Sequence, residues 1–562
     1  MNQERVEITI EDLGMNGEGI GRANGKTVFV PFALPGERVE AEILSHKKNL
    51  AFARAVRLLE ASSGREQPLC PVFGECGGCQ LQHMRYGMQL SAKAKLVETC
   101  FRKIAGVTVT AAAPGNSPQI YRYRNKLQLP VGQSADGPVF GFFEDGSHRI
   151  VPISDCALHP AWNASLIRIV GSFLRRRGIC GYDERTHSGT LRHLVAREVQ
   201  GQLMVVAVVN ADTLPYAEEL GRDLQREFAK ASLWVNSNRE RTNVILGKKF
   251  TLICGESSVC GDSMGIRYGV HPNSFVQIND AVRDKIYAKA AELAGEQPDG
   301  CIIDAYSGAG LLTAILSRHC RQIYGIEIVP QAVEDADRLC RENGIRNMRN
   351  LLGDCAELLP PLMARLRGNA LKSLPPALKG IPEGEFRDHP VTVVLDPPRK
   401  GCDPRVLRAI LQAGPERIVY ISCNPATLAR DAGILLGTLP LDSRPDSAPG
   451  YQIAYLKPYD LFPQTKHVET LVVLSKKIPD SHINIDVEFG EGEGQFSLKK
   501  IKERAEARNG EYSVLANMTI DNLSITNFDK NANVITAGYR SNVWHTDDYD
   551  YIDSWDEKDL LR

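Results

Sequence analysis

Apolar and polar residues alternate in short runs over roughly the first sixty positions. Val6-Glu-Ile-Thr-Ile10 alternates with a period of two, and residues 27–30, 38–43 and 51–57 follow, with Gly14, Gly17, Gly19 and Gly21 between the first two runs. Five or so strands in so little chain predict a small closed β-barrel of the OB type, a common nucleic-acid platform. A β module without a ligand fits the pattern equally well. Residues 88–105 carry helical spacing. Residues 120–260 mix strands and helices around the apolar run Leu203-Met-Val-Val-Ala-Val-Val-Asn210. Residues 278–295 are helical in period and lead into 301–476, where apolar runs alternate with amphipathic stretches. That alternation predicts an α/β doubly wound parallel sheet. Residues 364–390, rich in Pro, Gly, Arg and Lys, are expected to form a surface insertion. The expected domains are 1–60 (barrel), 61–265 (α+β central domain), 266–477 (doubly wound domain) and 478–562 (an acidic extension with a short charged helix at 496–507).

A chain of 562 residues with 43% hydrophobic residues can bury several cores. No apolar stretch is long enough to span a bilayer, and the N-terminus lacks the apolar core of a signal peptide. The expectation is a cytoplasmic protein with no membrane contact and no obligate protein partner. The net charge of −1 hides an asymmetry. Residues 479–562 hold 9 Lys/Arg against 17 Asp/Glu, while the rest holds 58 basic against 51 acidic residues. A mildly basic body is compatible with RNA.

Cysteines are 14 in number and mostly scattered, which in a reducing compartment is no disulfide framework. Cys70, Cys76 and Cys79 are clustered, with glycines that let the backbone wrap a metal. A fourth ligand is required. Cys156, in a polar turn after a strand, is the best candidate, with His159 and His83 as rivals. Four thiolates suit zinc and a [4Fe-4S] cluster equally by count.

Ile302-Ile-Asp304 reads as a strand ending in a carboxylate. Gly308 and Gly310 then turn the chain into a helix over 311–318, letting the backbone approach a ligand. Glu327 ends the next strand, where it would reach ribose hydroxyls, and Asp354 ends a third. The full G-x-G-x-x-G is missing, which favours S-adenosylmethionine over a dinucleotide.

Val391-Thr-Val-Val-Leu395 is a fourth strand ending in Asp396-Pro397-Pro398-Arg399, whose prolines lock the backbone after the carboxylate. Arg399 stands where amine methylases carry a stacking aromatic, which argues against amino-group methylation. A fifth strand, 417–422, delivers Cys423. Carbon methylation explains a thiol there: addition of a thiolate to C6 of uracil makes C5 nucleophilic. If the last strand runs antiparallel, its first residue, Glu469, lies at the same edge as a base, with His467 as second choice.

These segments resemble the RNA uracil-5-methyltransferases, in particular the iron–sulfur-containing 23S rRNA (uracil-5-)-methyltransferases. The resemblance covers about residues 1–477. It is carried by the Gly-rich N-terminal module, similar to a TRAM domain, and by Cys70, Cys76, Cys79 and Cys156. Further motifs are Tyr121-Arg-Tyr-Arg-Asn-Lys126, His271-Pro-Asn-Ser-Phe-Val-Gln277, Asp304-Ala-Tyr-Ser-Gly-Ala-Gly310, Asp396-Pro-Pro-Arg-Lys-Gly401 and Ser422-Cys-Asn-Pro425. It implies a class I (Rossmann-like) methyltransferase and a [4Fe-4S] cluster on those four cysteines. It implies S-adenosylmethionine contacts from Gln277, Tyr306, Glu327 and Asp396, Cys423 as nucleophile and Glu469 as base. Phe275 would lie near a flipped uridine, and the basic stretch 121–126, expected as a strand, near backbone phosphates. The implied partner is RNA, with 23S rRNA first and tRNA second; an RNA-binding iron–sulfur protein without activity is the remaining reading.

Overall fold

The computed structural model of the chain describes residues 4–371, 373–441 and 450–477. The expected helix at 496–507 and the extension 478–562 lie outside them.

β1 (Arg5–Leu13), β2 (Gly19–Ala23), β3 (Lys26–Val30), β4 (Arg38–His46) and β5 (Leu50–Glu60) close a barrel in the order β1-β2-β3-β5-β4. Its core comes from the period-two positions: Ile8, Ile10, Val28, Val30, Val39 and Ala41 are all 1% exposed or less. α1 (Tyr86–Ile104) follows the cysteine loop.

A seven-stranded, mostly antiparallel sheet comes next, in the order β12-β11-β10-β9-β6-β7-β8. Its strands are β6 (Lys126–Ser134), β7 (Gly137–Phe143), β8 (Ile150–Pro152), β9 (Leu191–Val199), β10 (Gln202–Val209), β11 (Ala231–Ser237) and β12 (Lys249–Cys254). α2 (Trp162–Arg177) and α3 (Ala217–Glu227) cover it. The expected strand over 121–126 is absent; only Lys126 belongs to β6. Arg122 holds φ +58° and donates to Asp155, and Tyr123 is buried with its hydroxyl on the Pro463 carbonyl at 3.0 Å. These tertiary bonds replace a ladder.

After the hairpin β13 (Val259–Ser263) and β14 (Ile266–Val270), the chain enters the doubly wound sheet expected from its pattern. Its elements are α4 (Asp280–Ala294), β15 (Gln297–Asp304), α5 (Leu311–Leu316), β16 (Cys320–Glu327), α6 (Pro330–Asn343), β17 (Met348–Leu352), α7 (Cys355–Arg367), β18 (Val391–Leu395), α8 (Pro404–Ala413), β19 (Arg417–Ser422), α9 (Pro425–Leu436), β20 (Tyr451–Tyr459) and β21 (Glu469–Lys476). The order is β17-β16-β15-β18-β19-β21-β20, parallel through β19 and antiparallel at β21 and β20. Successive residues of one strand face opposite cores. Ile303 and Val393 pack among α1, α7, α8 and α9, while Ile302 and Val394 pack among α4, α5 and α6. Burial on both faces explains the unbroken apolar runs.

Three departures matter. α1 packs against α9, so Val97 and Phe101 join a core built some two hundred residues later. The segment 364–390 is no surface excursion: its first residues finish α7, and Leu378, Ile381 and Phe386 are at most 1% exposed in the same core. Third, residues 112–115 lie along the outer side of β20, with Ala112 N–H on the Leu456 carbonyl at 2.8 Å and Gly115 N–H on that of Pro458 at 2.9 Å.

Candidate active site

Parallel strands deliver their C-terminal ends to one edge of the sheet, and that edge opens into a cavity of about 750 Å³. Gln277, Tyr306, Gly308, Glu327, Asp354, Asp396, Cys423 and Glu469 all line it, with Phe275 at 73% exposure on its wall.

The turn after β15 is built around two left-handed glycines, Gly308 at φ +53° and Gly310 at φ +83°. Gly310 sits behind the cavity wall, where a Cβ would come within 2.8 Å of Ala336 Cβ and 2.9 Å of Met348 Cε. Glu327 grips the turn: Gly308 N–H donates to one carboxylate oxygen at 3.0 Å and Val329 N–H to the other at 2.8 Å. Asp354 falls two residues after β17 and caps α7, accepting from Ala356 N–H at 2.9 Å. The expected helix over 311–318 is shorter and ends in a 3-10 turn at Ser317–His319.

Three acidic groups crowd the inner wall. Asp304 accepts from the Thr313 hydroxyl at 2.6 Å, while its other oxygen is buried without a partner. Burial pushes its carboxyl up to about 6. Burial and then the charge of Asp304 push Asp396 up to about 7. Glu469, 2% exposed, is raised well above the usual carboxylate range, by burial first and Asp396 second, against the pull of Arg399.

Cys423 sits between β19 and the first turn of α9. Asn424 caps that helix by accepting from Ala426 N–H at 3.0 Å, and Pro425 takes its first position. Asn424 Nδ2 and the Thr427 hydroxyl both donate to the Arg399 carbonyl at 3.1 Å, which fixes the Asp-Pro-Pro-Arg turn over the thiol. Burial and then Glu469 raise the thiol to about 11, opposed by Arg399. His467 does not line the cavity; it packs edge-on against Phe462 with ring centroids 5.7 Å apart, and burial lowers it to about 4.

Sequence reading passed over the α4 wall. Arg283 and Tyr287 line the cavity, and Arg283 pairs with Asp280 at 2.6 Å. Burial, then Asp396, raises the Tyr287 phenol. The signal was available: positions four apart put both side chains on one helix face.

The cysteine group lies elsewhere. Burial first, then charge on Cys156, Cys76 or Cys70, raises Cys79 to about 12. Cys156 is raised to about 11 by burial and by Cys76 and Cys70. All four thiols are therefore within electrostatic reach of one another, and thiolates are soft donors. Gly78 N–H donates to Cys76 Sγ at 3.4 Å. His159 instead meets the Lys126 carbonyl at 2.9 Å, and His83 lies 5.3 Å from the ring of Phe73. Among the described residues no group of three or more His, Cys, Asp or Glu side chains is arranged to hold a metal ion. No helix among them is long and apolar enough to cross a membrane.

The strand order and the carboxylate-lined cavity at the switch edge define a methyltransferase. Residues 214–477 match the tRNA (Uracil-5-)-methyltransferase family, and residues 1–56 match the TRAM domain. An uncharacterized RNA methyltransferase of Halalkalibacterium halodurans is 38% identical over 478 residues, 84% of this chain and 97% of its own length. Another, from Clostridium acetobutylicum, is 35% identical over 477 residues, 84% and 96% of the two chains. The crystal structure of Pyrococcus abyssi tRNA (uracil-54, C5)-methyltransferase in complex with S-adenosyl-L-homocysteine aligns with a TM-score of 0.61 at 26% identity, over 84% of this chain and 100% of that one. The chain belongs to the RNA (uracil-5-)-methyltransferase family, S-adenosylmethionine-dependent enzymes that act on RNA.

Proposed function

We propose that the protein methylates C5 of a specific uridine in 23S rRNA through a covalent Cys423 intermediate. The observation that carries the chemistry is the meeting of Cys423, Glu469 and Asp396 on one cavity with the glycine turn and Glu327. S-adenosylmethionine bound against that turn supplies an electrophilic methyl group. Gln277, Tyr306, Glu327, Asp354 and Asp396 orient it, and the Gly308–Gly310 turn lets the backbone approach it. Cys423, as thiolate, adds to C6 of the uracil and shifts the ring electrons towards O4 and C5, so that C5 takes the methyl and S-adenosylhomocysteine leaves with the sulfur–carbon bonding pair. Glu469, ionised, then removes the C5 proton, and the C6–S bond breaks as those electrons restore the ring. The base must leave its stack to reach the cavity, which unpaired loops of RNA allow at low cost.

Cys70, Cys76, Cys79 and Cys156 would hold a [4Fe-4S] cluster. Bound there, it would tie the 70–79 loop to the turn after β8, and no step of methyl transfer passes through it. Protein purified without oxygen is expected to be brown, with iron and sulfide in equal amounts. Colourless protein with stoichiometric zinc would overturn the cluster.

The 23S assignment is supported by the combination of the cysteine set with the N-terminal barrel. The family description and the Pyrococcus neighbour favour tRNA as a second reading. Methyl transfer to total RNA from a deletion strain, followed by mapping of the modified nucleotide, decides between them. A methyl group on nitrogen or ribose would end both.

A further inference from the structure

The loop between β20 and β21, residues 460–468, carries the chain into Glu469, and distant parts of the molecule hold it. At its centre is Gln464, fully buried and at φ +70°. A left-handed conformation away from glycine persists only where its surroundings over-determine it. The Gln464 carbonyl accepts N–H bonds from Gln80 at 3.2 Å and Leu81 at 3.0 Å, the two residues after Cys79. Its own N–H donates to Gln89 Oε1 at 3.1 Å, and Gln89 Nε2 donates back to Gln464 Oε1 at 2.9 Å. The same Gln89 nitrogen reaches the carbonyls of Leu81 at 3.1 Å and Met84 at 2.7 Å. Gln89, on α1, thus bridges the end of the cysteine segment to the loop before Glu469.

Further contacts close the frame. Lys93 donates to Asp460 at 2.6 Å and to the Phe462 carbonyl at 3.1 Å. Lys466 N–H meets Gln80 Oε1 at 3.3 Å, and Lys466 Nζ meets Asn16 Oδ1 of the barrel at 2.7 Å. From Gln464 onward, the Thr465 hydroxyl donates to the Phe462 carbonyl at 2.8 Å and accepts from His467 N–H at 3.3 Å. The register of β21 begins two residues later.

We infer that Gln89 and Gln464 are a positioning pair for Glu469, through which the cysteine-bearing segment sets where the candidate base stands. The inference rests on the reading of Glu469 as base. A base displaced by about 1 Å loses on the order of 100-fold in rate. Neither glutamine lines the cavity, so the pair acts through geometry.

Hydrogen exchange and kinetics on the full chain test this. In Gln89→Met, of similar length but without the amide, amides of 460–469 are expected to exchange at least about tenfold faster, while those of the barrel do not change. Turnover falls on the order of 10- to 100-fold, KM for S-adenosylmethionine stays within about twofold, and the acid limb of the pH–kcat profile moves. Cys76→Ser and Cys156→Ser should loosen the same peptide. Where Gln89→Met does not fold, Gln464→Ala is read in the same way. Unchanged exchange over 460–469 in these variants would overturn the inference. So would a lower Tm with kcat per folded molecule and the acid limb both unchanged. Full activity in Glu469→Gln would instead remove the base assignment, while the exchange data would still report whether the cysteine segment holds the loop.

Discussion

Glu469 and Cys423 stand side by side at one sheet edge, each one residue beyond the Thr470–Ser422 pair that joins β21 to β19 in antiparallel register. On the proposed mechanism, a thiol and a carboxyl delivered by neighbouring strands divide the reaction between them. Cys423→Ala should abolish both methyl transfer and covalent capture of 5-fluorouridine RNA, with S-adenosylmethionine affinity retained. Glu469→Gln should slow turnover on the order of 10³-fold and leave methylated RNA attached to protein, because the C5 proton stays in place. Denaturing gels of both variants with labelled RNA check this. An adduct in Cys423→Ala would refute the nucleophile.

Cys423, Asp396 and Glu469 are all shifted towards their neutral forms by burial. Adduct formation needs the Cys423 thiolate, so its rate is expected to rise with pH towards about 11, where the thiol ionises. S-adenosylmethionine affinity should rise through neutral pH as Asp396, at about 7, ionises. Rapid-quench trapping and calorimetry over that range are the measurements. A flat profile would contradict both expectations.

The same shift has a stability sign. Glu469 binds its proton more tightly folded than unfolded. Its contribution is complete below the unfolded pKa of about 4.3 and is lost as pH rises through the folded value. Glu469→Gln, which cannot ionise, should therefore melt higher than the parent at pH 8, with the gap closing towards pH 4. A gap independent of pH would count against a carboxyl held neutral there.

Gly308 and Gly310 share a backbone conformation but not a setting. A Cβ at Gly308 meets nothing within 4 Å, whereas one at Gly310 meets Ala336 and Met348. Gly308→Ala should cost about 1 kcal/mol of backbone strain. Gly310→Ala should add overpacking of about 1–3 kcal/mol and weaken cofactor binding more. Denaturant melts and cofactor titrations of the two variants compare them directly. Equal effects would mean that conformation alone matters at both positions.

Lys93 and Asp460, 3% and 0% exposed, form a buried pair at 2.6 Å. Lys93→Met leaves the carboxylate alone in the interior, which should cost about 3–5 kcal/mol. The double variant Lys93→Met, Asp460→Leu should recover part of that loss. Urea unfolding of both gives the comparison. A double variant no more stable than the single one would show that packing, not the stranded charge, sets the cost.

Strand ends were the most legible part of the molecule. Asp304, Asp396 and Cys423 each follow an apolar run that only a doubly buried strand explains, and the structure brings all three to one cavity. Helix faces at long range were not legible. Nothing in 86–104 says that Val97 and Phe101 pack beside α9, because amphipathic spacing names a buried face but not its partner. Charge misled at 364–390, where Arg and Lys drew attention from the spaced Leu378, Ile381 and Phe386. It misled again at 121–125, where alternation looked like a ladder but Tyr123 and Arg122 bond to distant loops. Gln464 carried no signal, since a glutamine held by long-range hydrogen bonds looks like any other in sequence.

Residues 112–115 shield the last strand of the catalytic sheet, and they come from a stretch of chain that precedes the central sheet. Residues 266–477 are therefore not a portable catalytic unit. Cut free at residue 266, it would show a raw β20 margin to solvent and zip onto copies of itself. Evolution and engineering alike must keep this enzyme's engine together with the thread sewn along its rim.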